Sequence, residues 1–349
     1  MSRTGRLWTT IGIVVVAFVV LLAPWKEGWI WQGEKEFEGG EVTAMMPYIK
    51  NSEWCGFYAA LLPVSTNPGS TSFYEQQGLD VTMEYTSEGG YGAIKLLAAG
   101  QADFAYAGAD AVLLARAEGL PVVAVYQPEK NNLFGLLVPT DSGITEPADL
   151  AGKTIAIIGV GSPATIAAKT ILTTAGVNLD DIEFVPMGAG IVGGLAEGQA
   201  DAAAGYIIHE LILRSMGIEH MAWHAQDYAE NYGVTSIVTT EEMIEKHPDV
   251  VQRFVDATHE GWKIAVADPQ GTVDACIEAF YPEGADYRDM EVEYWERLVN
   301  EVYEAPRADL GVIYPELWAR THDVLLDLGV LDEAVDVERA YTTRFKSAD

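Results

Sequence analysis

Five short stretches of this 349-residue chain place aromatic rings, hydroxyls and carboxylates at turns. Tyr48, Asn51 and Trp54 stand in "YIKNSEW", and Tyr91 in "SEGGYG", residues 87–92. Gly108 and Asp110 stand in "AGAD", Gly161 and Ser162 in "GVGSPA", residues 159–164, and Tyr206 and Glu210 in "YIIHE". Rings of this kind stack on flat ligands, carboxylates accept hydrogen bonds, and glycine-rich turns let backbone amides approach a polar atom. Tyr206 and Glu210 are four apart and share one face of a helix. Structural readings stand beside these. Asp110 and Ser162 are also suited to cap helices, and Trp54, with Phe57 and Tyr58, to fill the core under the next helix. No Ser/His/Asp set, paired-carboxylate pattern or metal-ligand spacing stands out, so no catalytic residue, metal or cofactor is expected. "GVGSPA" formally fits the dinucleotide fingerprint G-x-G-x-x-A, but it lies mid-chain, at the start of a second structural unit, and we reject that reading.

The elements that must carry these residues are legible in the hydrophobic pattern. Strands are expected at 42–48, 80–85, 103–108 and 121–127, with helical patterns such as "YGAIKLLAA" and "ADAVLLARAEG" between them. "LFGLLVPT", 133–140, reads as a strand leading elsewhere. A second α/β series follows, with strands at 153–159, 181–187 and 201–206 and a helix over "PATIAAKTILTTAG". "GVTSIVTT", 233–240, reads as a strand returning to the first series, and a mostly helical remainder packs on it. The motif LA-x-GQAD occurs twice, at 97–103 and 195–201, each copy closing a helix and launching a strand. That repetition argues for two similar units. The expected organisation is a first lobe of 42–137 and 232–349 and a second of 138–231, with a cleft at the carboxyl ends of their strands.

The 52 acidic and 21 basic residues give a net charge of −31, a field that repels nucleic acid and anionic lipid. Cys55 and Cys276 lie far apart and form no metal or CxxC spacing, so they are read as buried small residues or as a disulfide outside the cytoplasm. Arg3 and Arg6 precede a mostly apolar run from Leu7 to Trp25, near the length needed to span a bilayer. Residues 1–31 are therefore expected to be an uncleaved membrane anchor, or else a cleaved signal, with 32–41 as a polar linker. Either way the body is exported.

In order, "MMPYIKNSEWCGFYAAL", "FYEQQGLDVTMEY", "EGGYGAIKLLAAGQADFAYAGADAVLLARAEGLPVVAVY", "ITEPADLAGKTIAIIGVGSPA" and "LAEGQADAAAGYIIHE" resemble the substrate-binding proteins of ABC importers. The match is to the class serving thiamine pyrimidine precursors, riboflavin, sulfonates and nitrate. It covers residues 41–240 well and the remainder loosely. The resemblance implies a two-lobed periplasmic-binding-protein type II fold that closes on a small molecule and docks, as a monomeric body, on an ABC permease and its ATPase. It also implies that Tyr48, Asn51 and Trp54 supply stacking and a polar contact, and that the Gly161–Ser162 turn offers amides and a hydroxyl. Two departures stand out. Pro63 to Ser72 looks like an insertion, and His209 replaces an Asn that precedes the Glu of related members.

Nitrate or sulfonate would ask for Arg or Lys, and Lys50 is the lone basic residue of the candidate loops. A flat, neutral or weakly basic heteroaromatic, such as a thiamine pyrimidine precursor or riboflavin, fits their Tyr, Trp and carboxylate content better. Three alternatives remain: a sulfonate or nitrate binder, a membrane-anchored sensor, and a pyrimidine-making enzyme of the same superfamily. The enzyme would need a Cys cluster and a His where this chain has Ala111.

Overall fold

The computed structural model describes residues 40–65, 67, 69–159, 161–229 and 231–347. The expected anchor at 1–31 lies outside the described residues. Among the described residues no helix is long and apolar enough to cross a membrane.

Ten strands make two five-stranded sheets. The first contains β1 (Glu41–Pro47), β2 (Asp80–Thr86), β3 (Phe104–Gly108), β4 (Val122–Tyr126) and β10 (Thr235–Thr240), ordered β2-β1-β3-β10-β4. The second contains β5 (Gly135–Pro139), β6 (Thr154–Ile157), β7 (Glu183–Pro186), β8 (Ala202–Gly205) and β9 (His220–His224), ordered β7-β6-β8-β5-β9. The two orders are the same arrangement. In each sheet three strands pair in parallel, and the strand entering from the other sheet runs antiparallel beside them. The helices of seven or more residues are α1 (Cys55–Leu61), α2 (Gly89–Ala98), α3 (Ala109–Ala117), α4 (Pro163–Thr174), α5 (Ile207–Ser215), α6 (Pro248–Ala267), α7 (Pro269–Phe280), α8 (Arg288–Arg297) and α9 (Pro315–Asp327). β9, "HMAWH", has an apolar run of three residues between two histidines, too short to be legible as a strand.

Period-2 alternation builds the layers. Val42, Ala44, Met46, Phe104 and Tyr106 face a core shared with α1, α6, α7 and α8, while Met45, Ala105 and Ala107 face the opposite core with α2 and α3. α1 crosses α6 so closely that a Cβ on Gly56 would meet the Trp262 ring at 2.2 Å, and one on Gly261 would meet the Ala60 backbone nitrogen at 2.6 Å. Cys55 and Cys276 are both wholly buried free thiols in this core. Burial first, and then the neighbouring Cys276, push the Cys55 thiol up. Trp295 and Trp318 are likewise fully buried.

The repeated motif has one job in both lobes. Gly100 and Gly198, at φ +72° and +69°, end their helices in the left-handed region that glycine tolerates. The Asp three residues later then caps a neighbouring strand. Asp103 Oδ2 accepts from the Thr43 N–H at 2.8 Å, and Asp201 Oδ2 accepts from the Thr154 N–H at 2.9 Å. Each Asp also donates its own N–H to the carbonyl of the same threonine. Each motif thus fixes the register of β3 on β1, or of β8 on β6. Asp103→Ala and Asp201→Ala should each lower the unfolding free energy by about 1–2 kcal/mol, read from the urea midpoint. Asp141→Ala, on an exposed turn, should leave that midpoint in place.

Candidate functional site

Several candidate residues stand at the carboxyl ends of the parallel strands, and Tyr206 of the second sheet lies within electrostatic reach of Glu53 and Glu129 of the first. β1 delivers Tyr48 in an unusual conformation, φ +67°, held by its N–H donating to the Thr86 carbonyl at 2.6 Å. Its ring is 38% exposed and its hydroxyl lies over Gly89, where a Cβ would come within 3.0 Å of it. Burial, and then Glu53 and Asp110, push that hydroxyl up to about 12. Asn51 Oδ1 accepts from the Glu53 N–H at 2.9 Å, so it caps the turn that aims Glu53. Trp54 sits in the core. It is fully buried, donates to the Ile49 carbonyl at 2.8 Å, and meets the Tyr106 ring edge-on at 5.7 Å. Its indole forms a wall behind the site.

β3 ends at Gly108, and Asp110 follows in the first turn of α3. Asp110 is 4% exposed, and its Oδ1 has no hydrogen-bond partner. The carboxyl folds back over Gly108, where a Cβ would strike that oxygen at 2.1 Å. Burial pushes Asp110 up to about 6. β4 runs on to Glu129, whose Oε2 accepts from the Thr235 N–H at 2.7 Å and whose Oε1 accepts from the Tyr106 hydroxyl at 3.3 Å. Burial outweighs these bonds and raises it to about 7. Glu53, half-buried, accepts from the Tyr294 hydroxyl at 3.0 Å, and burial followed by Glu129 raises it to about 8.

The second sheet supplies Tyr206, buried at the end of β8. It stacks on Phe134 at 4.3 Å between centroids and meets Tyr294 edge-on at 6.3 Å. Ser162 caps α4, its hydroxyl accepting from the Thr165 N–H at 3.2 Å, and Gly161 precedes it in a turn where a Cβ would meet nothing within 4 Å. Tyr91 does not join the group. It packs with α2 and α3 under Lys95, whose ammonium lies 4.4 Å from its ring centroid.

Glu210 requires a correction. It was expected to accept from a ligand, but both oxygens are occupied: His224 Nε2 lies 2.9 Å from Oε1, and Arg297 Nη1 donates to Oε2 at 2.8 Å. Burial would raise this carboxyl, yet these partners prevail and hold it below the usual range. Arg297 in turn makes two bonds to Glu301. His209 also serves the fold. Its Nδ1 accepts from the Tyr206 N–H at 3.1 Å, and burial lowers it to about 4, which keeps that nitrogen an acceptor.

Glu53, Tyr106, Glu129, Tyr294 and Arg297 were missed as site residues. Glu53 stood inside the quoted "KNSEW" loop, and Glu129 just past a predicted strand end, so position could have flagged both. Tyr294 and Arg297 come from a helix with no motif.

Two measurements follow. Glu53, Glu129 and Asp110 have raised folded-state values, so their stabilising contribution is full below about pH 4 and is lost as pH rises through 6 to 8. The melting temperature of the free protein should therefore fall between pH 5 and 8.5, and Glu53→Gln should flatten that fall. Glu210→Ala leaves Arg297 short of a partner in a half-buried setting. It should lower the melting temperature of the free protein, at a cost of about 2–4 kcal/mol.

The chain is 27% identical over 317 residues to the riboflavin-binding protein RibY of Chloroflexus aurantiacus, covering 87% of this chain and 86% of that one. It is 24% identical over 309 residues to a formylaminopyrimidine-binding protein of Halalkalibacterium halodurans, covering 86% and 89%. In fold it is similar to the alkanesulfonate-binding protein SsuA of Xanthomonas axonopodis bound to MOPS, with a TM-score of 0.68 at 18% identity over 87% of this chain and 98% of that one. The two sheets and their helices are thus those of a known binding-protein fold. The NMT1/THI5-like family model matches residues 69–272, more than half of the chain, and the protein belongs to that family.

Proposed function

We propose that this chain is the extracytoplasmic solute-binding component of an ABC importer. It captures a small heteroaromatic, of thiamine-pyrimidine-precursor or riboflavin type, and delivers it to a permease and its ATPase. The observation that carries this reading is the convergence of Tyr206 and Phe134, from the second lobe and its crossing strand, with Tyr48 and the carboxyls of the first lobe. Such a set offers a flat apolar face with acceptors at its rim. The two relatives, one a riboflavin-binding protein and one a formylaminopyrimidine-binding protein, support the same class. The acidic lining disfavours sulfonate or nitrate, because among the described residues an anion would meet three carboxyls and an Arg297 already paired with Glu210 and Glu301. In this reading residues 1–31 tether the body to the membrane, and lobe closure shifts an existing open–closed equilibrium.

The test is a thermal-shift panel on the full-length protein with riboflavin, hydroxymethyl- and formylamino-pyrimidines, thiamine, taurine, an alkanesulfonate and nitrate. A true ligand at a hundred times its Kd stabilises by about 2.7 kcal/mol. A heteroaromatic should raise the melting temperature, and Tyr48→Ala should remove most of that rise. A rise with sulfonate or nitrate alone would replace this reading.

A further inference from the structure

Three carboxyls meet the candidate site, and none of them has an ion-pair partner among the described residues. Glu129 is held by a backbone N–H and a tyrosine hydroxyl, and Glu53 by a tyrosine hydroxyl. Asp110 keeps one buried oxygen with no partner at all. These donors are neutral, so they satisfy oxygen lone pairs without cancelling charge. Arg297, on the helix that carries Tyr294, is committed to Glu210 and Glu301.

The three carboxyls also act on one another. Glu53 lies within electrostatic reach of Glu129, Glu291, Tyr48, Tyr206, Tyr294 and Tyr303. Glu129 lies within reach of Glu53, Asp110, Tyr106, Tyr206 and Tyr303. Asp110 lies within reach of Glu129, Tyr48 and Tyr232. All of these groups are acidic. In the free protein such a cluster keeps protons, because several buried like charges cannot all ionise. A ligand bringing positive charge removes that obstacle and displaces protons. A neutral ligand does not.

We propose that the site selects a positively charged heteroaromatic ring, stacked against Tyr206, with Glu53, Glu129 and Asp110 as its counter-charges. This rests on the heteroaromatic reading above and adds the charge to it. Binding then releases protons, so affinity rises with pH until the carboxyls are ionised in the free protein.

The experiment is calorimetric titration of the full-length protein at pH 5.5 and 8.5 with matched probes. 1-Methylnicotinamide is compared with nicotinamide, and thiamine with hydroxymethylpyrimidine. Riboflavin, tetraethylammonium and methanesulfonate complete the set. A charged ring should bind at least about tenfold more tightly than its neutral counterpart at pH 8.5, and should gain at least about tenfold between the two pH values. Glu53→Gln and Glu129→Gln should each weaken the charged ring about fivefold or more and reduce proton release, measured from the heat in buffers of different ionisation enthalpy. Riboflavin or hydroxymethylpyrimidine binding equally at both pH values, with no charged ring preferred, overturns the charge assignment and leaves the heteroaromatic reading in place. Tetraethylammonium binding without any ring keeps the carboxyls as counter-charges but overturns the ring. Methanesulfonate alone, or no charged probe at millimolar concentration, overturns the proposal.

Discussion

One hydrogen bond joins the outgoing and returning connections between the lobes. The backbone N–H of Thr235, at the start of the strand that returns to the first sheet, donates to Glu129, on the segment leaving that sheet. Neighbouring bonds extend the clasp. Asn132 Oδ1 accepts from the Phe134 N–H at 2.9 Å, its side-chain amide donates to the Tyr232 carbonyl at 2.9 Å, and its own N–H donates to Asn231 Oδ1 at 3.0 Å. Gly233 is left-handed at φ +70°, and a Cβ there would strike the Asn132 amide at 2.8 Å. The crossing must therefore be narrow, and its narrowness decides which strand ends face each other. An ionisable group at this point is costly to bury, and the Thr235 N–H and the Tyr106 hydroxyl offset part of that cost.

The rest of the site follows from this junction. Because both sheets use the same strand order, their carboxyl ends arrive as two similar surfaces. The first lobe contributes carboxyls and Tyr48, while the second contributes a stacked aromatic pair. α8 then closes one side, its Arg297 bound to Glu210 of α5. This division explains why Glu210 belongs to the framework. A carboxylate ion-paired on both oxygens holds two elements together, whereas Glu53, Glu129 and Asp110 have no ion-pair partner among the described residues and burial favours their protonated form. It also explains the weight on burial in their protonation, since desolvation opposes the charged form and no cation stands close enough to reverse it.

Much of this was legible before any coordinates. The strands of both series stand where β-branched and alternating patterns put them, and the twice-written LA-x-GQAD pointed to two like units. Its physical cause, an aspartate accepting from an N–H in the first half of a neighbouring strand, needed the pairing of β1 with β3 and of β6 with β8. That Tyr48, Asp110 and Tyr206 stand at or just past strand ends was legible because strand ends can be read from sequence. Trp54 and Tyr91 could not be assigned a side, since an aromatic at the start of a helix serves a core or a cleft equally well.

The sequence by itself determined the element order, the duplicated architecture, the scarcity of basic residues in the candidate loops, where Lys50 stands alone, and the family resemblance, because each depends on local pattern or on composition. Only the tertiary structure decided which charges remain uncompensated. Glu210 meets Arg297 across 87 residues and Glu53 meets Tyr294 across 241, and no local pattern encodes such a meeting. Whether a carboxylate is a strut or a ligand contact depends on what folds against it, since its charge is cancelled or left over only when distant elements pack.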